Sequence, residues 1–162
     1  MAQFKLQKLL LAFSFGLSIF FAPHSVKAIN KEQDSLYAMA VEKFGKNNLS
    51  QCEEKLLKTA ENGGVADCRS QNTTQNDPAT AACWGQERQI RSDLIEWLGH
   101  DPNAKGKVRD TGIQILGARI QGNVNLSYAN LSFPLIIKQS AIPDNFILVN
   151  AHGQGTDPEV RA

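Results

Sequence analysis

The sequence predicts an α+β chain in which N-terminal helices cap a short β-solenoid, and three observations carry that fold class. Between Gly112 and Ala151 apolar residues return every eleven positions. Glycines at 112, 117 and 122 and prolines at 134 and 143 interrupt the same stretch. The stretch before it, from Asp34 to Leu98, instead carries its apolar residues at helical spacing. The predicted organisation is a signal peptide over 1–28, a helical segment over 29–105 with a polar loop at 69–82, a β-solenoid over 106–151, and a polar tail over 152–162.

The repeat is read most easily when cut at Gly117. One column is small, Ala118, Ala129, Ser140 and Ala151. Three others are large and apolar: Ile120, Leu131 and Ile142; Val124, Leu135 and Phe146; Leu126, Ile137 and Leu148. The unit before contributes Ile113 and Ile115 to the last two. An eleven-residue period also occurs in helical supercoils. Here it fails on geometry, because Val124 and Leu126 lie nearly opposite each other on a helix but share one face of a strand. Glycine and proline break helices and suit corners, so each unit reads as two very short strands and two bends.

Ala129-Asn130-Leu131-Ser132-Phe133 fits the A-(D/N)-L-x-x unit of pentapeptide-repeat proteins, and Ala118-Arg119-Ile120-Gln121-Gly122 is a looser copy. The chain resembles that family over these residues. The resemblance implies a right-handed parallel β-helix with four walls, eleven residues per half coil and about twenty-two per turn. Small and bulky columns would both point inward. From Trp84 to about Ala151 the chain is also similar to a group of bacterial proteins of unassigned function. They share a helix reading I-R-x-x-L-I-x-W-L, here Ile90 to Leu98, and a G-I-x-I-x-G-A-x-I-x-G entry, here Gly112 to Gly122. That resemblance carries no catalytic residue to transfer.

Taken from its start, the chain opens with Lys5 and Lys8, an apolar run from Leu9 to Phe21, and the small-residue pattern Val26-Lys27-Ala28. This is the layout of an export signal cleaved after Ala28, and its apolar core is shorter than the ~20 residues a spanning helix needs. The expectation is a periplasmic or secreted bacterial protein with no stable membrane insertion after cleavage. The whole chain has a formal net charge of +1. Loss of the first 28 residues removes three lysines and no acid, leaving 14 basic against 16 acidic residues. So mild a balance argues against a nucleic-acid partner.

A first helix is expected over Asp34–Phe44, with Leu36, Met39, Ala40 and Phe44 on one stripe and Gly45 ending it. A second begins at Ser50-Gln51-Cys52-Glu53, a capping-box pattern in which Ser50 and Glu53 satisfy each other's amides. Leu56, Leu57 and Ala60 supply its buried face, and Gly63-Gly64 stops it. A third, roughly Gln86–Leu98, carries Ile90, Leu94, Trp97 and Leu98. Its apolar face is expected to cover the open first coil, since terminal repeats expose unpaired backbone.

Candidate chemistry is sparse. Cys52, Cys68 and Cys83 lie in the exported part, where oxidation is expected, and permit three pairings with one thiol left over. The favoured disulfide is Cys68 with Cys83, which would tie the ends of the polar loop. The three lack C-x-x-C spacing for a redox site. His100 beside Asp101 has the makings of a proton-transfer pair but sits just past a helix end, an ordinary place for a polar residue. No second His or Cys stands at ligand spacing to it. Over 106–151 the acids are only Asp110 and Asp144, too few for a glycosidase-like carboxylate pair. No catalytic, cofactor-binding or metal residue is therefore assigned, and no cofactor is expected.

The outward column Gln114, Asn125, Ile136 and Ile147 contains two large apolar residues, Ile136 and Ile147, which form the candidate interaction surface. The competing account is that Leu36 or Leu56 from the early helices covers them. After Ala151 the columns fail, with Gly153, Asp157 and Glu159 at apolar positions. The reading that results is an exported, non-enzymatic module of the cell envelope, structural or protein-binding. Its partner would be another protein, or a second copy meeting it at the open C-terminal coil. The alternatives are an envelope enzyme with an unidentified site, or a truncated product of a longer repeat protein.

Overall fold

The structure, a computed structural model, describes residues 34–142 and 145–153. The export signal, Pro143, Asp144 and the tail from Gln154 onward lie outside the described residues.

Two helices come first. α1 (Leu36–Phe44) is capped by Ser35, whose hydroxyl accepts from the Ala38 amide, so it starts two residues later than the spacing alone suggests. α2 (Gln51–Asn62) begins with the capping box read from the sequence: Ser50 Oγ accepts from Glu53 N, and Glu53 Oε2 accepts from Ser50 N at 2.8 Å. Leu56, Leu57 and Ala60 are buried as the stripe requires, and Gly63 closes the helix in the left-handed region.

The third helix is shorter than expected. Gln86–Arg88 is a single 3-10 turn, Gln89–Arg91 is a strand (β2), and only Ser92–His100 is helical (α3), followed by a one-turn helix at Pro102–Lys105 (α4). A preceding strand, β1 (Val65–Asp67), has no counterpart in the sequence-based expectation. Both strands exist because the ladder behind them has an edge to fill. β1 pairs in parallel with β3 (Ile113–Leu116), and β2 pairs in parallel with β4 (Arg119–Gln121), bringing Ile90 beside Ile120. Pairing a buried row of amides and carbonyls outweighs the weak helix propensity of three residues. The expected helical cover of that edge is thus supplied in part by strands.

Five further strands are β5 (Val124–Asn125), β6 (Asn130–Leu131), β7 (Leu135–Lys138), β8 (Phe146–Ile147) and β9 (His152–Gly153). Each pairing displaces the chain by 22 residues: Ile113 meets Leu135, Val124 meets Phe146, and Asn130 meets His152. An isolated bridge joins Arg119 to Ala141 at the same offset. Corners share it too. Gly117 and Gln139 have positive φ, as do Tyr128 and Asn150, and Gly112 and Gly122 turn in the same region.

These strands do not make the continuous right-handed β-helix solenoid expected from the resemblance. They form four separate parallel sheets, one of three strands (β1, β3, β7) and three of two strands each. The architecture is mixed α+β, with short helices. The physical reason is length: a wall becomes continuous only when several rounds stack, and here one wall holds three strands and the others two among the described residues. The columns therefore reported local register correctly without implying a solenoid.

The core lies between α1, α2, α3 and the leading strands. Ile113, Ile115, Ala118, Ile120, Val124, Leu126 and Ala129 are buried with Leu36, Leu56, Leu57, Ile90, Leu94 and Leu98. Val124 and Leu126 face the same interior. Leu135, Ile137, Phe146 and Leu148, in the trailing copies of those columns, are only half-buried.

Candidate functional site

The leading edge is tied down by side chains as well as strands. Glu53 is almost fully buried, and its Oε1 accepts from the Arg91 amide and from Arg91 Nε, each at 2.8 Å. The Arg91 guanidinium also donates to the Asn48 carbonyl and lies near the Phe44 ring, and hydrogen bonding to Glu53 holds it above its ordinary pKa. Phe44 meets Trp97 edge to face with centroids 5.7 Å apart. Further on, Glu96 accepts from the Asn125 amide at 2.7 Å, His100 Nε2 lies 3.1 Å from the Asn125 carbonyl oxygen, and Lys105 Nζ donates to the Asn130 carbonyl. Gly99 lets α3 approach Leu126 and Leu131; a Cβ there would sit 2.5 Å from Leu126 Cδ2.

His100 and Asp101 therefore have separate structural roles. Asp101 caps α4, accepting from the Asn103 and Ala104 amides, and those bonds, the Ala104 one foremost, hold its carboxyl below the ordinary carboxylate value. No group of three His, Cys, Asp or Glu among the described residues could hold a metal ion.

The trailing edge is different. β7, β8 and β9 each have one strand neighbour among the described residues. Val149 is 54% exposed, Ile142 37% and Ile147 36%. Ile136 is half-buried on β7 next to Gln114, whereas Ile147 is on β8 next to Asn125. The two belong to different sheets. Leu36 and Leu56 are fully buried within the main apolar cluster. Ile136 alternates with Leu135 and Ile137, which pack against that cluster, and so points to the other face of its strand.

A second feature lies on the far side of α2. The disulfide joins Cys52 to Cys68, with Cα atoms 5.4 Å apart, and Cys83 is an exposed free thiol. This corrects the expected Cys68–Cys83 pairing. Cys52 sits in the first turn of α2 and Cys68 directly follows β1, so strand pairing of β1 brings these two together, a contact that loop length alone could not reveal. The polar stretch 69–82 is not unstructured: it holds 3-10 turns at Thr73–Gln75 and Pro78–Cys83, each started by an Asx side chain.

A cleft of about 510 Å³ lies here, and all three cysteines line it. Arg88 forms part of its wall. The guanidinium stacks 3.5 Å from the centroid of Trp84 and donates to the Gly117 carbonyl through Nε and Nη2 and to the Gln75 carbonyl through Nη1. Burial pulls its pKa below the ordinary value, opposed by the charges of Glu87 and Asp67. The buried Trp84 indole N–H has no hydrogen-bond partner among the described residues. Lys55 and Arg69 also line the cleft, with Glu87 as its acid. Sequence reasoning missed this cleft, because its walls are separated by up to 37 positions, from Gln51 to Arg88, with no repeat to link them.

Compared with protein-family models, with curated proteins and with solved structures, the chain gave no match. A disulfide is present, and no helix among the described residues is long and apolar enough to cross a membrane.

Proposed function

We propose that this chain is an exported, non-enzymatic module of the cell envelope, periplasmic or secreted, that acts by protein contact through its trailing strand edge. The observation that carries the proposal is the asymmetry of the ladder. Among the described residues β7, β8 and β9 each have a strand on one side only, and Ile142, Ile147 and Val149 are exposed, whereas the leading strands are covered. Unpaired strand edges accept further strands. Export is supported by the disulfide and by the Lys5, Leu9 to Phe21 and Val26-Lys27-Ala28 pattern.

The occupant proposed is a second copy of the chain. Head-to-tail stacking is blocked because β1, β2, α3 and α4 occupy the leading edge, so a self-contact must join trailing edge to trailing edge. Such a contact is closed and twofold, and it yields a dimer rather than a filament. Light scattering on the protein recovered from the envelope fraction, with its N-terminus read by mass spectrometry, tests both halves. The expected result is a chain starting at Ile29 that dimerises, with amides over 135–153 protected in the dimer and a dissociation constant raised at least tenfold by Ile147→Lys with Val149→Lys. A monomer at all concentrations, or dimerisation unaffected by those substitutions, would overturn the contact; an intact N-terminus would overturn processing.

A further inference from the structure

All three cysteines of the mature chain face one cleft, two of them bonded and the third free. We propose that the cleft is an intramolecular thiol–disulfide exchange site, in which Cys83 displaces Cys52 from Cys68 and converts the Cys52–Cys68 bond into Cys68–Cys83. The Cys83 thiol gives its proton to solvent and its sulfur forms a bond to Cys68 Sγ. The Cys52–Cys68 bond breaks, and Cys52 leaves as a thiolate that takes a proton from solvent. One disulfide and one thiol stand on each side, so no oxidant or reductant is consumed.

Four features bear on this step. Cys68 is 5% exposed as a residue and Cys52 1%, so Cys68 is the less deeply buried partner of the bond. Cys68 and Cys83 also bracket the polar stretch 69–82, which is braced by its own hydrogen bonds: Asn76 bonds back to Ser70, and the Ser70 hydroxyl donates to Gln75. For Cys83 to cross the cleft, that stretch must shift as a unit and give up the Arg88–Gln75 hydrogen bond that ties it to the body of the chain. Cys52, the leaving group, occupies the first turn of α2, where the amide ends of a twelve-residue helix favour the negative charge it carries away. Lys55, Arg69 and Arg88 outnumber Glu87 around the cleft, which favours an anionic sulfur in transit.

The consequence is a covalent switch between two forms of one chain. In the first, α2 is stapled to β1; in the second, the polar stretch is closed on itself and α2 is released from the strand that fills the leading edge.

The test uses the oxidised full-length mature protein, held at pH 8 without added thiol, quenched with N-ethylmaleimide over time, digested and mapped by mass spectrometry. The expected result is that Cys52–Cys68 and Cys68–Cys83 peptides appear in one sample, with labelled Cys83 in molecules of the first kind and labelled Cys52 in the second. Their ratio is expected to be reached at a rate independent of protein concentration, as an intramolecular step requires. Cys83→Ser keeps the original disulfide and is expected to show that bond alone. Label confined to Cys83 at all times in the wild-type protein would overturn the proposal, as would exchange whose rate scales with protein concentration.

Discussion

The leading and trailing strands of the ladder come from the same eleven-residue pattern, yet they end in opposite conditions. Ile113, Ile115, Val124 and Leu126 are buried among helices and strands drawn from outside the repeat. Their copies 22 residues later, Leu135, Ile137, Phe146 and Leu148, are only half-buried. The lesson is that a column position does not set burial. What stands beyond the strand edge does, and at the leading edge that is β1, β2, Glu96, His100 and Lys105.

The largest expected effect comes from removing the ionic tie of the leading edge. Glu53→Ala leaves the Arg91 guanidinium and amide without their buried acceptor and is expected to cost about 3 to 5 kcal/mol, read as a lowered midpoint in chemical denaturation. An unchanged midpoint would mean that β2 is held by its strand pairing alone.

Paired truncations sharpen the contrast directly. Ile115→Ala opens a cavity in a closed interior and is expected to cost about 3 kcal/mol. Ile137→Ala, its ladder partner, removes a half-buried side chain and is expected to cost about 1 kcal/mol. Equal losses in the same denaturation series would show that the trailing edge is as well covered as the leading one.

A smaller effect is expected at a corner. Tyr128 is exposed and holds φ at 60°, a region that disfavours side chains with a Cβ. Tyr128→Gly is expected to raise stability by about 0.5 kcal/mol, the strain relieved less the extra freedom given to the unfolded chain. A fall of similar size would show the ring packing to be worth more than the strain.

The smallest is a pH effect at the end of α3. The Ala104 and Asn103 amides hold the folded pKa of Asp101 below its ordinary value of 3.8. The stabilisation is therefore present above pH 3.8 and is lost as pH falls through the lower, folded value. Asp101→Asn is expected to flatten the acid limb of the stability profile. An unchanged acid limb in the variant would assign it to other carboxylates, such as Asp67, whose pKa is lowered chiefly by the hydrogen bond from the Arg69 side chain.

Much of the local order was legible beforehand. The capping box at Ser50 and Glu53, the buried stripe of α2, the positive-φ glycines at 112, 117 and 122, and the shared interior of Val124 and Leu126 all rest on contacts within a few residues or on one repeat. The solenoid did not follow, because continuity depends on the number of strands per wall and not on the period. The strands at Val65–Asp67 and Gln89–Arg91 were missed for a related reason: neither lies in the repeat, and each takes its conformation from the partner it meets. The cysteine pairing failed with them, since β1 is what carries Cys68 to α2.

By itself, then, the amino-acid order determined where backbone turns, which residues alternate inward, and how each helix begins, because those depend on φ preference, side-chain period and near-neighbour hydrogen bonds. Only the tertiary structure decided which cysteine finds which, what closes the leading edge and how many strands each wall holds. Those outcomes are settled by segments dozens of positions apart competing for one exposed row of amides and carbonyls, and such competition leaves no mark on local spacing.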